Sequence, residues 1–347
     1  YSFLSVYIFY LLSKEILKKE WMRVLAVFFL TNTLMFQFLS SSINYDNLGN
    51  LFCILSVYFF TKFVKSKINV KYLLYMLLFI GLGGITKYTT LPLSFILIIL
   101  SGVEMYFRRE EFKSIRKGKG LLLLIPVLIL LCLNIGIYGV NLVKYGSLEP
   151  NCNQILTHEQ CLENGVYYRD NIERPSINIG GISDIFTLIK TGKRIDPVRY
   201  LWYWSVNLVS KIYGIMGDSS LYMPKIFPYL FIGLFAVVVV VGILNRRKWD
   251  KADIYLLLIS LFYASILFFV QNYSMYLRKN HMYLALQGRY LFPVLPMIYI
   301  LVSKSLSFIK NNRLRYILIG MFVLLFLYSN IPFFFLNVES WWFGVNF

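Results

Sequence analysis

Residues 226–248 read IFPYLFIGLFAVVVVVGILNRRK. Up to Leu244 the stretch carries no charge, and its length matches the roughly 20 apolar residues that a bilayer-spanning helix needs. The Arg246-Arg247-Lys248 run that stops it is of the type that collects on the cytoplasmic side of a membrane. Outward from this stretch the pattern repeats, with apolar runs at about 24–40, 48–63, 72–86, 88–107, 120–142, 254–271, 291–309 and 316–333. Tyr1–Leu12 is also apolar but too short to cross, and it reads as the tail of a span that starts upstream. It has no basic n-region and no small-residue cleavage site, so it is not read as a signal peptide.

Composition agrees with this reading. The chain is 58% hydrophobic and 15% charged, whereas soluble domains carry about 25% charged residues. A soluble globular domain, a disordered chain, a collagen-like fibre and a small disulfide-stapled scaffold are excluded. The net charge of +18 is concentrated: stretches 13–23, 62–71, 108–119, 245–253 and 304–315 hold 22 of the 35 Lys and Arg. By the positive-inside rule these five stretches are cytoplasmic, so the charge reports orientation and attraction to membrane lipids, and nucleic-acid binding is not needed to explain it.

The expected architecture is an all-α polytopic membrane protein of the cell membrane. It would have about nine complete transmembrane helices, preceded by a truncated N-terminal one. Residues 1–142 form an N-terminal bundle, 143–225 an exoplasmic loop, and 226–347 the C-terminal helices, with an exoplasmic C-terminus. Tyr200–Gly217 is apolar enough to cross, but crossing would invert every later basic cluster. It is read as a helix lying on the membrane, with Trp202, Tyr203 and Trp204 at headgroup level. Asp184–Lys190 reads as a second short amphipathic piece.

Cys53 and Cys132 fall in spans and read as buried apolar residues. Cys152 and Cys161 lie in the outer loop, where an oxidising compartment favours a disulfide between them. Zinc would need His158 and a further ligand, and the spacing fits no common zinc template.

Ionisable groups at membrane depth or span mouths are costly and therefore candidate functional groups. Three constellations fall on the expected outer side. Ser40–Asn47 joins two spans and contains one acid, Asp46, which reads either as a helix cap or as a partner for a metal ion or a basic residue. Gly81-Leu82-Gly83-Gly84 loosens one span ahead of Thr86-Lys87-Tyr88-Thr89, where Lys87 either snorkels or holds a phosphate with help from the Thr86 and Thr89 hydroxyls. Gln287–Pro293 carries Arg289, which either anchors a helix end or grips an anion through its planar fork, while Gly288 would permit close backbone approach. His158 and His281 read as surface residues, and Asn272-Tyr273-Ser274 is a sequon against a membrane end. No P-loop, dinucleotide fingerprint, HExxH or nucleophile elbow occurs.

Tyr45-Asp46 ahead of a span, Lys87-Tyr88-Thr89 at a tight hairpin and Gly139…Tyr145-Gly146…Pro150 opening a large loop resemble the GT-C membrane glycosyltransferases, nearest to the protein O-mannosyltransferase and lipid A aminoarabinose transferase group. The run Gln287-Gly288-Arg289-Tyr290-Leu291-Phe292-Pro293 resembles an uncharacterised branch of membrane proteins of similar plan. The resemblance implies sugar transfer from a polyprenyl-phosphate donor to an envelope acceptor on the outer face. It assigns Lys87 and Arg289 to the donor phosphate, Tyr45, Gln287 and Tyr290 to the substrate, and Asp46 to a supporting role toward the acceptor or a divalent metal ion. It puts the principal catalytic acid in a first outer loop, upstream of Tyr1. The competing readings are a transporter or flippase of a lipid-linked or anionic substrate, and a non-catalytic membrane scaffold. Glycine-broken helices suit a transporter, but no internal repeat is visible and the charged groups cluster toward one face.

Overall fold

A computed structural model describes residues 1–66, 69–110, 122–214, 223–224 and 226–337. The basic residues at 113–119, the end of the Tyr200–Gly217 segment and most of the expected exoplasmic tail lie outside them. The described residues are helical, with no strand among them.

The longer helices are α1 (Ser2–Ile16), α2 (Glu20–Thr31), α3 (Leu34–Ser41), α4 (Tyr45–Lys65), α5 (Val70–Thr86) and α6 (Leu91–Phe107). After them come α7 (Leu124–Tyr145), α8 (Ile182–Lys190), α9 (Pro197–Tyr213), α10 (Ile226–Leu244) and α11 (Lys251–Lys279). The chain closes with α12 (Leu295–Ser307), α13 (Asn312–Tyr328) and α14 (Ile331–Asn337). Short polar residues set the starts. Asn44, Asn69, Asp196, Asp250 and Asn311 each accept a hydrogen bond from a first-turn backbone N–H, satisfying donors that a helix leaves open. Gly146, in the left-handed conformation, ends α7.

By length and composition, α4, α6 with its preceding turn, α7, α10 and α11 can cross a membrane. The run expected as one span at 24–40 is bent by 62° between α2 and α3, and counts as a sixth only if the bent pair is a single span. Among the described residues nine spans are not reached by this measure, because α5 and α12 are shorter apolar helices and α13, with 17 residues, does not qualify. The bend is held by buried hydroxyls: Thr33, between α2 and α3, donates to Phe29 O at 2.7 Å and lies 2.6 Å from Tyr299 Oη, which lies 2.9 Å from Tyr213 Oη.

One hydrophobic cluster runs from Phe9 to Phe333, so helices on both sides of the loop share a core. α12 sits inside it, packed on α2, α10 and α11 with most of its residues buried. α9 follows the sequence reading as a helix but not in its surroundings. Trp202 is exposed and stacks on Tyr229, whereas Trp204 is buried and donates to Asn272 Oδ1 at 2.9 Å. The headgroup role expected for Trp204 is therefore corrected to an internal anchor. Asn272 is fully buried, which removes it as a glycosylation site.

The loop is tied down rather than free. Arg194 donates to Leu277 O at 2.8 Å, Ile195 is held through Tyr273 and Tyr276, and Cys152 is bonded to Cys161. Of the two other cysteines, Cys53 is buried as expected, while Cys132 is exposed on α7. α7 packs on α5 alone among its stronger contacts, which leaves most of its apolar surface facing outward.

Candidate functional site

Three helix ends build the site. α4 starts at Asn44, whose side-chain oxygen accepts from the Asp46 N–H at 2.8 Å. Because Asn44 caps the helix, the Asp46 carboxylate is free to turn inward, and the residue is 4% exposed. α5 ends where the backbone extends at Lys87, and a single turn, Tyr88–Thr90, leads into α6. A second short turn, Gly288–Leu291, brings Arg289 to the same end of the bundle.

These ends converge. The Lys87 ammonium donates to Asp46 Oδ1, and Arg289 Nη1 lies 3.5 Å from Asp46 Oδ2. Lys87 Nζ also stands 4.9 Å from the Tyr45 ring centre and 5.6 Å from that of Tyr290, within cation–π range. Arg289 Cζ is 5.6 Å from the Tyr290 ring. The cluster holds one acid and two cations, so it carries about one net positive charge. Asp46 Oδ2 and Arg289 Nε are buried without a hydrogen-bond partner, although desolvated polar atoms are normally paired. A narrow hollow opens beside them, lined by Asn50, Thr89, Thr90 and Pro293 together with the charged trio.

A second, wider cleft of about 280 Å³ lies on the other side of Lys87. Tyr45, Tyr88, Tyr138, Asn141 and Glu149 line it. Partial burial pushes the Glu149 carboxyl above its usual range, an effect opposed by the neighbouring Tyr88 hydroxyl and by the nearby Lys87 charge.

Several expectations change in detail. Thr86 donates its hydroxyl to Leu82 O at 2.8 Å, so its proton is engaged in the helix. Gln287 is exposed and lines neither hollow. Gly288 does permit close approach, but to protein: a Cβ there would sit 2.4 Å from the Lys211 carbonyl oxygen of α9. The glycines of α5 clasp rather than loosen. A Cβ at Gly81 would meet Leu130 Cβ at 2.7 Å, Asn134 donates to Gly81 O at 2.9 Å, and Tyr138 donates to Gly84 O at 2.6 Å. His158 is exposed beside Tyr167, and His281 is partly buried, its pKa lowered first by burial and then by the charges of Arg174 and Arg169.

No group of three or more His, Cys, Asp or Glu able to hold a metal ion is found among the described residues. Asp46, the one carboxylate of the narrow hollow, already faces two cations. That donor set does not suit a divalent ion.

The sequence reading missed Glu149, for which its place just before Pro150 at the loop opening was the available signal. It also missed Glu104 and Asp253, buried at the opposite end of the bundle. Glu104 pairs with Lys251 and accepts from Tyr255 at 2.9 Å, while Asp253 pairs with Lys304. An acid inside the apolar run 88–107 was signal enough for Glu104.

A family model described as dolichyl-phosphate-mannose-protein mannosyltransferase matches residues 1–134. The matched stretch holds Tyr45-Asp46 and Lys87-Tyr88-Thr89, but not Gly139…Pro150 or Gln287–Pro293. It bears out the resemblance to GT-C membrane glycosyltransferases. No curated protein and no solved structure matches the chain.

Proposed function

We propose that this chain, a membrane glycosyltransferase of GT-C type by its matched portion, moves a sugar from a polyprenyl-phosphate donor to an envelope acceptor on the outer face. The observation that carries the reading is the convergence of Lys87 and Arg289 on buried Asp46 at a hollow where Asp46 Oδ2 and Arg289 Nε have no hydrogen bond. A sugar-bearing lipid phosphate has one negative charge, which matches the net charge of the trio. In transfer, the bond between the sugar's anomeric carbon and the phosphate oxygen breaks, and its electron pair stays on the phosphate. The acceptor oxygen bonds to that carbon and gives its proton to a base. The leaving phosphate thus gains charge, and fixed cations in a dry pocket stabilise a group most where charge develops. Asp46 keeps the two cations in place between turnovers.

The positive-inside pattern supports the outer face for this end of the bundle. The charges lie at helix ends rather than mid-helix, which favours a transferase site over a transport path. The test is donor binding by the full chain in lipid nanodiscs, with dolichyl phosphate as probe. Lys87→Ala and Arg289→Ala are each expected to weaken binding about 10- to 100-fold, the range for losing one charge-assisted contact. Unchanged affinity in both folded variants would refute the phosphate assignment.

A further inference from the structure

We propose that the cleft on the far side of Lys87 is the subsite for the sugar that the donor phosphate carries, and that Glu149 is its specificity-determining residue. The inference rests on the phosphate reading above and extends it to a place and a chemistry. A sugar esterified to a phosphate lies one bond away from it, so its pocket must adjoin the phosphate site. Lys87 is the shared wall: it lines the narrow hollow with Asp46 and Arg289, and it lines the wide cleft with Glu149 and Tyr88.

The lining selects the class of ligand. Tyr45 and Tyr88 are 63% and 37% exposed, so open aromatic faces are available for the C–H face of a sugar ring. A carboxylate such as Glu149 accepts hydrogen bonds from adjacent ring hydroxyls. A cationic ligand is disfavoured by the Lys87 charge close enough to act on Glu149, and a second anion is disfavoured by Glu149 itself. A neutral polyhydroxyl ring satisfies both constraints. Tyr138 is committed to Gly84 O at 2.6 Å and Asn141 to Leu148 O at 3.0 Å. Those two donors are thus engaged, and Glu149, the one carboxylate in the lining, is the strongest acceptor of the cleft.

The experiment compares binding of dolichyl phosphate and of the same lipid phosphate bearing mannose, glucose or a pentose, using the full chain in nanodiscs. Wild type is expected to bind at least one sugar-bearing lipid about tenfold more tightly than the bare lipid. Glu149→Gln is expected to abolish that preference, since a charged hydrogen bond is of that order, while affinity for the bare lipid stays unchanged. Tyr88→Ala, which removes an aromatic wall of the cleft, should reduce the preference several-fold. Retained bare-lipid binding doubles as the check on folding. The proposal is overturned if wild type shows no preference for any sugar-bearing lipid, or if Glu149→Gln keeps the preference. It is also overturned if the variant alters only the acceptor's KM, which would make the cleft the acceptor's. If the bare lipid itself binds independently of Lys87 and Arg289, the phosphate reading fails instead, and that outcome is read from different variants.

Discussion

Asp46 lies in the first turn of its helix, where an acid is ordinarily explained by the helix end alone. Here Asn44 performs the capping, and the Asp46 carboxylate answers to Lys87 and Arg289. The sequence could show that an acid and two cations fall on one expected face. It could not show that they meet, because residues 46, 87 and 289 are brought together by tertiary packing, of α4 on α5 and of the Gly288–Leu291 turn on α9 and α3. Glu149 carries the prediction that belongs to this scale. Its ordinary protonation range is raised by burial, and the groups facing it are Lys87, Tyr88, Tyr138 and Tyr45. If Glu149 reads the sugar as proposed, sugar preference needs the ionised form, so it should be present above the raised pKa and be lost as pH falls through it, at a higher pH than for an ordinary carboxylate. Titrating donor preference against pH in wild type checks this, and the Glu149→Gln profile should be flat. Stability runs the other way: the fold holds this proton more tightly than the unfolded chain does, so ionisation works against folding.

At the scale of elements, apolar runs located the helices well because lipid demands long uninterrupted ones. They failed where packing decides. No periodicity marks the 62° bend at Thr33, whose buried hydroxyl meets Tyr299, a partner distant in sequence. Nor could composition separate Trp202, which is exposed, from Trp204, which is sealed against Asn272. Gly288 was read correctly as a point of close approach, but the approaching group is α9. Gly288→Ala would drive a Cβ into the Lys211 backbone, and backbone cannot swing aside as a side-chain tip can. The expected cost is about 1–3 kcal/mol, typical of overpacking, seen as a lower thermal midpoint. Donor affinity should fall with it, because the same turn positions Arg289.

At the scale of the whole molecule, the two ends of the bundle are built differently. One end holds the charged hollow and cleft; the other is closed by Glu104 with Lys251 and Asp253 with Lys304. Asp253 is fully buried and shares the Lys304 ammonium with the more exposed Asp250, whose backbone N–H it also accepts from, so Asp253→Ala would leave Lys304 with Asp250 alone and open the start of α11. The expected cost is about 1–3 kcal/mol, the order of losing a charged hydrogen bond, which thermal unfolding in nanodiscs should register. At temperatures where the variant stays folded, donor affinity should be unchanged, because the pair is remote from the site. The clasp between α5 and α7 has a reach beyond stability. Lys87 ends α5, and the chain leaving α7 carries Glu149, so if the cleft holds the sugar, the close contact at Gly81 and Gly84 would work as the hinge of a calliper whose jaws are those two charges. Alanine at Gly81 would push Leu130 away and open the jaws, shifting the donor panel toward bulkier rings at the expense of the smallest. Ring size would thus be gauged a few turns below any atom that touches the ligand.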